Sequence, residues 1–196
     1  MNSTIEKESI NLQARAWEIV RETQVMEIWQ EIGATVNPVG SFAMGLMMKH
    51  QDIDMHIYSD PFTIKDSFTA AGRLAEIAGI QDMTYNNCLE QEDCCLEWHA
   101  HYKAKNGELW KMDMIHIRKD SRYVGYFEKV AERVKALLTD ESRNAILAIK
   151  QAIPDDENVM GIRIYRAVLQ GGVRDLANFR QWEKDNPIDG IEHWMP

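Results

Sequence analysis

Gly40-Ser41-Phe42-Ala43-Met44-Gly45 is followed, after six further residues, by Asp52-Ile53-Asp54-Met55. A glycine lets the backbone approach a phosphate closely, and Ser41 adds a hydroxyl and a backbone N–H at an expected helix start. In a strand, residues i and i+2 share a face, so Asp52 and Asp54 project together while Ile53 is buried behind them. Paired carboxylates can bind divalent metal. The two segments together therefore indicate a site for a metal-bound nucleoside triphosphate.

The run from Asp52 to Tyr58 alternates polar and apolar residues, which is typical of a half-buried strand. Its apolar positions, Ile53, Met55 and Ile57, are expected to face the core. Taken alone, an Asp-x-Asp pair is also common on the solvent face of an edge strand. The glycine-serine turn ahead of it favours a binding site over that simpler interpretation.

The rest of the N-terminal half predicts a mixture of helices and strands. Apolar residues near a 3.6 period predict a long first helix that stops near Gly33, and Pro38 is typical of an edge strand or a strand end. The predicted elements are a helix over 4–32, a strand over 34–39, the strand over 52–58 and a helix over 62–78.

Asn106-Gly107 lies between two strand-like runs, Leu96 to Ala104 and Leu109 to Ile117. Asn-Gly in this setting is the strongest short-range signal of a hairpin. If these two residues form the turn by themselves, opposed residues have numbers that add up to 213, as 106 and 107 do. Asp113 then lies opposite Ala100.

This register sorts the hairpin side chains between the two faces of the sheet. His99 and His101 fall on the face of the sheet that does not carry Asp113. We interpret them there as polar rim residues in preference to zinc ligands. Aromatic and basic side chains on the face of Asp113 suit stacking on an acceptor, and a core role for the aromatics is an equal alternative. The predicted acceptor-cleft residues are Trp98, Tyr102 and Lys111.

From about residue 121 onward the pattern predicts helices, with breaks at Pro154 and Gly171-Gly172. The predicted C-terminal helices cover 122–138, 141–152, 157–170 and 174–184. A helix, a small mixed sheet and then a helical half indicate an α+β protein. We expect a catalytic domain over 1–119 and a helical C-terminal module over 120–196.

Composition narrows the class of protein. The chain has 196 residues, 45% of them hydrophobic, and a net charge of −9, which disfavours nucleic acid as the main partner. It has neither an apolar run of membrane-spanning length nor an N-terminal signal-peptide core, so we expect a cytoplasmic protein with no membrane partner. The three cysteines, Cys88, Cys94 and Cys95, are an odd set that argues against a disulfide framework, and we interpret them as buried or idle thiols.

The spacing of the opening motif resembles the signature of the DNA polymerase β-type nucleotidyltransferase superfamily, a glycine-serine turn followed by an Asp-x-Asp strand. The family also has a third carboxylate on a later strand, and Asp113, between Met112 and Met114, is the natural match. A charge in that position is expensive unless metal or hydrogen bonds pair it. The matching residues are Gly40, Ser41, Gly45, Asp52, Asp54 and Asp113.

The resemblance implies a small mixed sheet with helices on one face. It implies that Asp52, Asp54 and Asp113 are catalytic residues that bind two Mg²⁺ ions, with Mn²⁺ as an alternative, and that Asp113 serves as a ligand or as the base. It also implies that Gly40, Ser41 and Gly45 bind the nucleotide, with Ser41 and nearby N–H groups on the phosphates.

The chain also departs from the family pattern. Many members carry a polar or acidic residue before the Asp pair and a basic residue soon after the glycine-serine turn, where this chain has Gln51 and Phe42-Ala43, and the segment Met44 to Met48 is unusually apolar. Triphosphate contacts would then fall to Lys49 or to the helical module, where Lys150 and the Arg163–Arg166 pair are candidates. For the arginines, surface charge balance is the favoured interpretation.

We therefore predict a Mg²⁺-dependent nucleotidyltransferase that moves a nucleoside monophosphate, with AMP as the first choice, from an NTP to a hydroxyl of a small-molecule acceptor. The length and layout resemble aminoglycoside and lincosamide nucleotidyltransferases, and an acidic chain suits a cationic or neutral acceptor. The alternative is a non-catalytic or antitoxin-like protein of the same fold that acts on or with a protein partner.

Overall fold

The computed structural model describes residues 2–188, 190 and 192–196. Within them the chain forms helices and strands in a mixed order, which confirms the predicted α+β class. The elements are α1 (Asn2–Thr23), α2 (Val25–Gln30), β1 (Thr35–Pro38), α3 (Gly40–Met44), β2 (Asp52–Tyr58), α4 (Ile64–Ala75), β3 (Ile80–Cys88), β4 (Cys95–Lys103), β5 (Leu109–Ile117), α5 (Tyr126–Leu137), α6 (Asp140–Ala152), α7 (Gly161–Leu169) and α8 (Leu176–Asp185).

The strands form one five-stranded sheet in the order β1-β2-β5-β4-β3. Strands β2 and β5 are parallel, and the other neighbours are antiparallel. The parallel pair sets Asp54 directly beside Asp113 and Asp52 beside Lys111. The predicted Asp-x-Asp strand and the predicted third-carboxylate strand are therefore neighbours in the middle of the sheet.

The two faces of the sheet have opposite chemistry. The core face, which carries Ile53, Met55 and Met114, packs against α1, α2 and α4, and those three side chains are fully buried. The cleft face, which carries Asp52, Asp54 and Asp113, points the other way because side chains alternate along a strand. The predicted core positions of β2 are thus confirmed.

The hairpin register predicted from Asn106-Gly107 is wrong by one residue. Opposed residues in β4 and β5 have numbers that add up to 212, so Asp113 lies opposite His99. The Ala104 N–H donates to Glu108 O at 2.9 Å and the Gly107 N–H donates to Ala104 O at 2.9 Å, which encloses a three-residue loop. Gly107 takes the left-handed position at the end of this turn, with φ of 93°. A one-residue slip moves every side chain to the other face.

Two other predictions need correction. The first helix is not continuous over 4–32, because Gln24 adopts a left-handed conformation, with φ of 50°, between α1 and α2. Strand β3 was not predicted; it is an edge strand with mostly polar residues, so it lacks the alternation that identifies β2. The four predicted C-terminal helices are present with shifted ends, as α5 to α8.

The apolar segment after α3 joins two cores. Met47 packs into the core beneath the sheet, while Met44, Leu46 and Met48 pack among α5, α6 and α7. Helix α6 also binds the backbone at the start of this segment, because the Arg143 side chain donates to Gly45 O at 2.8 Å. The unusual apolar character of residues 44–48 is therefore explained by packing against the helical half. No helix among the described residues is long and apolar enough to cross a bilayer.

Candidate active site

The acidic centre is built by two neighbouring parallel strands. Asp54 on β2 pairs laterally with Asp113 on β5, and Asp52 precedes Asp54 by two residues on the same face. Adjacent strands lie about 4.8 Å apart, so the three carboxyl groups share one small area of the cleft face. All three line the same cleft.

Gly40 brings the backbone against this centre. Its φ is +59°, and a Cβ built there would lie 2.5 Å from Asp54 Oδ2. A side chain at position 40 would therefore meet both the left-handed backbone conformation and the Asp54 carboxylate. The Val39 N–H donates to Asp54 O at 3.0 Å, which ties the turn to β2. These contacts explain why the turn requires glycine.

The cleft lies between the sheet and the helical half and has a volume of about 630 Å³. That size lies within the range of small-molecule and cofactor sites. Gly40 and Ser41 lie at the turn, the carboxylates line the sheet side, and helices α5 to α7 supply the opposite wall. That wall includes the side chains of Phe127, Val130, Lys150, Ile164 and Tyr165.

Burial, with a contribution from neighbouring charges, raises the pKa of Asp52 and Asp54. Burial raises the pKa of Asp54 to about 7, and the Asp113 and Asp52 charges act in the same direction. Burial also raises the pKa of Asp52, an effect that the nearby Lys111 charge opposes. Burial and neighbouring charge together disfavour the ionised forms of Asp52 and Asp54, and a bound cation would offset both effects. This chemistry fits a divalent metal held by oxygen ligands.

Asp113 has two partners from the same face. His99 Nδ1 lies 2.6 Å from Asp113 Oδ1, and because a carboxylate only accepts, the Nδ1–H is the donor. Lys111 Nζ donates to Asp113 Oδ2 at 2.9 Å. Burial lowers the pKa of Lys111, but the hydrogen bond and charge of Asp113 outweigh it, so the pKa is raised. Both carboxylate oxygens are therefore oriented by the chain itself.

The cation on the opposite wall is Lys150. Its Nζ donates to Leu46 O at 2.7 Å, and burial lowers its pKa to about 8 while the charges of Asp54 and Asp52 partly offset that effect. Tyr165 from α7 lies beside it, with Lys150 Nζ 6.0 Å from the ring centroid. Burial raises the pKa of the Tyr165 hydroxyl, and Asp54 adds to this shift.

Lys49, the other predicted phosphate contact, does not line the cleft. Its Nζ donates to Ile153 O at 2.6 Å and forms an ion pair with Asp155, so the ammonium is engaged at the C-terminal end of α6. Gly45, with φ of +66°, ends α3 and receives the Arg143 hydrogen bond instead of lining the cleft. The turn residues Gly40 and Ser41 do line it.

The corrected register moves the predicted acceptor residues. Trp98 and Tyr102 are on the core face, each 5% exposed, and only Lys111 of the predicted set shares the cleft face with Asp113. Tyr102 donates to Glu22 in α1 and Trp98 donates to Ser67 in α4. The competing interpretation, that these aromatics belong to a core, is correct, although the helices that cover them are N-terminal.

His99 is the neighbour of Asp113 that sequence reasoning missed. The Asn-Gly signal allowed a three-residue loop as well as a two-residue one, and the longer loop would have placed His99 opposite Asp113. His101 shares that face and pairs with Asp82 at 2.7 Å. Arg163 and Arg166 do not line the cleft, and both pair with Glu192. The arginines do balance charge, but Arg163 and Glu192 are buried, so the expected surface position is wrong for Arg163.

No protein-family model and no curated protein matches the chain. Among solved structures, one from the GLD-2/RNP-8 complex aligns over 100% of this chain and 80% of its own, with a TM-score of 0.58 and 9% identity. The Cid1 poly(U) polymerase aligns over 81% of this chain and 53% of its own, with a TM-score of 0.52 and 12% identity. A second Cid1 structure, described for RNA terminal uridylyl transferase activity, aligns over 76% of this chain and 47% of its own, with a TM-score of 0.51 and 12% identity.

The chain therefore spans about half the length of the Cid1 chains that it matches. At these identities the likeness is one of fold. The chain has the nucleotidyltransferase fold that the glycine-serine turn and the Asp-x-Asp strand predicted.

Proposed function

We propose that this protein is a metal-dependent nucleotidyltransferase, which transfers a nucleoside monophosphate from an NTP to an acceptor hydroxyl and releases pyrophosphate. The observation that carries the proposal is the cleft itself. Three carboxylates on β2 and β5 line one wall, Lys150 lines the other, and the Gly40-Ser41 turn also lines the cleft. The nucleotidyltransferase fold supports the same reaction class.

The residues around the turn suit a triphosphate. The first N–H groups of a helix have no intrahelical partner, so the start of α3 offers donors next to the Ser41 hydroxyl. Lys150 supplies positive charge from the opposite wall, and its hydrogen bond to Leu46 O uses one of the three N–H donors of the ammonium group. We assign the phosphates to these groups, and AMP as the transferred group is the first choice to test.

The carboxylates would hold Mg²⁺, most naturally as a pair of ions, and the bound metal would supply Lewis-acid activation of the hydroxyl and charge neutralisation on the phosphates. In the reaction a bond forms between the acceptor oxygen and the α-phosphorus, and the bond from that phosphorus to the bridging oxygen breaks. Asp113 takes the proton of the acceptor hydroxyl. His99 is a positioning residue, because its hydrogen bond fixes the orientation of the Asp113 carboxylate.

The charge of the cleft favours a small acceptor that is cationic or neutral. Besides the three carboxylates of the centre, the lining includes Asp155, Asp156 and Glu157 from the loop before α7. Asp155 pairs with Lys49 and Glu157 with Arg180, so the negative charge that an acceptor meets comes from the centre and Asp156. That charge would attract a cationic acceptor and repel a polyanionic one that lies away from Lys150. This agrees with the net charge of −9.

A second candidate acceptor is the 3′ hydroxyl of an RNA. It is favoured by one observation, the shared fold with Cid1, whose structure is described for RNA terminal uridylyl transferase activity. A third possibility is that the protein has the fold but no catalytic activity and acts with a protein partner.

The deciding experiment is calorimetric titration of the purified chain with each of the four NTPs, with and without Mg²⁺, beside the Asp52→Asn variant. We expect binding of at least one NTP that requires both Mg²⁺ and Asp52. Transfer of label from α-³²P-labelled NTP to hydroxylated polyamines or to an RNA with a free 3′ end then identifies the acceptor. Absence of binding for every NTP would reject the proposal in favour of a protein partner.

A further inference from the structure

A second cluster of metal-binding side chains lies away from the cleft, at the end of the β3–β4 hairpin. Cys88 and Cys95 are direct partners across the two strands. Their Sγ atoms and a carboxylate oxygen of Glu97 all lie within 4.8 Å of one another. We propose that Cys88, Cys95 and Glu97 bind a thiophilic divalent cation, best exemplified by Zn²⁺, at a structural site.

The distances suit a tetrahedral ion after a small contraction. Zinc–sulfur bonds of about 2.3 Å place tetrahedral ligands about 3.8 Å apart, so the atoms need to approach by about 1 Å at most. Asp93 lies next to the set, with its Oδ2 3.2 Å from Cys95 Sγ and its Oδ1 buried without a hydrogen-bond partner. The fourth ligand position is thus available to Asp93 or to water.

The charges around the two thiols favour a cation over an idle pair. Glu97 and Asp93 both bear on the cysteines, and across the described ranges neither carboxylate forms an ion pair with a lysine or arginine. On binding, one divalent ion would replace two thiol protons, which leave to solvent, with no change of oxidation state.

The position of the set explains what such an ion would stabilise. Strand β3 is an edge strand with few apolar residues, and Cys88 and Cys95 close the loop that joins it to β4. Ile117 and the two cysteines form a small separate cluster, with Tyr58 and Ile115 packed against it. An ion there would fix the end of the hairpin that carries His99.

The test uses the full chain, reduced with a phosphine, freed of metal and titrated with Co²⁺. We expect one equivalent to give the near-ultraviolet sulfur-to-cobalt charge-transfer band, which Zn²⁺ displaces and excess Mg²⁺ does not. Cys88→Ser and Cys95→Ser should each weaken binding by more than about 100-fold, since even outer-shell losses weaken metal sites 10- to 100-fold. Cys94→Ser is the matched control and should keep the band, as should Asp52→Asn, which separates this site from the cleft.

If the cysteine variants fail to fold, a second measurement on the wild-type chain still tests the site. Zn²⁺ should protect Cys88 and Cys95, but not the partly exposed Cys94, from alkylation by N-ethylmaleimide, as read by peptide mass. A reduced chain that gives neither the band nor protection would overturn the metal site. A Cys88–Cys95 disulfide in protein purified without reductant, combined with no metal uptake after reduction, would assign the pair to redox chemistry instead.

Discussion

The cleft face and the core face of the central sheet are built from alternating residues of the same strands. They differ in how many charged side chains they carry. On the cleft face Asp54 keeps a carboxyl group whose pKa is raised to about 7, next to Asp113. On the core face His116 is fully buried, and burial lowers its pKa to about 4, so it is neutral. The core face removes charge, whereas the cleft face concentrates it beside cations. Such crowding is tolerated where a ligand compensates it.

The strongest test of this contrast is Asp54→Asn. Asp54 is a proposed metal ligand, and loss of such a ligand removes several kcal/mol of transition-state stabilisation, so we expect turnover to fall by more than about 10³-fold. In the absence of metal the variant should be as stable as the wild type or more stable, because it removes one of the crowded like charges. Product formation and thermal unfolding in chelator measure the two effects.

Asp156→Asn provides the matched control, since Asp156 lines the same cleft but is exposed and distant in sequence from the centre. We expect its turnover to stay within about threefold of the wild type, as for a screened surface charge. A similar loss of turnover in both variants would mean that general cleft charge, and not a metal-binding centre, controls activity.

The centre could be predicted because its signal is local. Asp52 and Asp54 share a face whatever strand lies beside them. Gly40 and Ser41 precede them at the family spacing, with no insertion. The register of β4 against β5 depends on a loop whose Asn-Gly fits two lengths, and one residue of difference exchanged His99 with Trp98 and Tyr102. Local spacing thus identified the carboxylates but not their lateral neighbours.

The opposite wall was harder to predict, for a different reason. Lys150 reaches the cleft because α6 packs on the segment after α3, 104 residues earlier in the chain. No local pattern distinguishes it from Lys49, which is closer in sequence to the carboxylates yet bonds to Ile153 O. Strand β3 was missed because an exposed edge strand needs no apolar alternation.

The core face makes a pH prediction. His116 is neutral when folded with a pKa near 4, against about 6.5 when unfolded, so the unfolded chain binds more protons between these values. The free energy of unfolding should therefore fall as pH drops from about 6.5 to about 4, by at most about 3 kcal/mol for this residue. Urea unfolding of the wild type and of His116→Gln, which retains an amide that can donate to Ser59, measures the difference.

The wild type must be compared with His116→Gln because Asp54 changes the free energy of unfolding with pH in the opposite direction. Its folded pKa is raised, so the free energy that it contributes is lost as pH rises through about 7 and regained as pH falls. The His116 contribution is the change that disappears in His116→Gln. An identical pH dependence in both proteins would show that His116 is not the group that resists protonation.

A smaller effect is expected on the helical wall, where Lys150→Met and Lys49→Met form a matched pair. A charged hydrogen bond is worth about 1.5–3 kcal/mol, so Lys150→Met should lower kcat/KM for the NTP about 10- to 100-fold. Lys49→Met should change it less than about threefold, because Lys49 does not line the cleft and its Nζ is already bonded to Ile153 O and Asp155. Steady-state kinetics with varied NTP compare the two. Equal losses would restore Lys49 as a phosphate ligand.

The smallest effect belongs to Tyr102, and it tests the register of the hairpin. Its hydroxyl donates to Glu22 at 3.1 Å on the core face, so Tyr102→Phe should lower the free energy of unfolding by about 1 kcal/mol. The KM for the acceptor should stay within about twofold, because no atom of Tyr102 faces the cleft. His99→Phe, three residues earlier on the same strand and on the cleft face, is the counterpart. It removes the partner of Asp113, so kcat should fall while the KM for NTP stays nearly constant. If Tyr102→Phe instead raised the KM for the acceptor tenfold, the two faces would be exchanged and the two-residue turn would be correct.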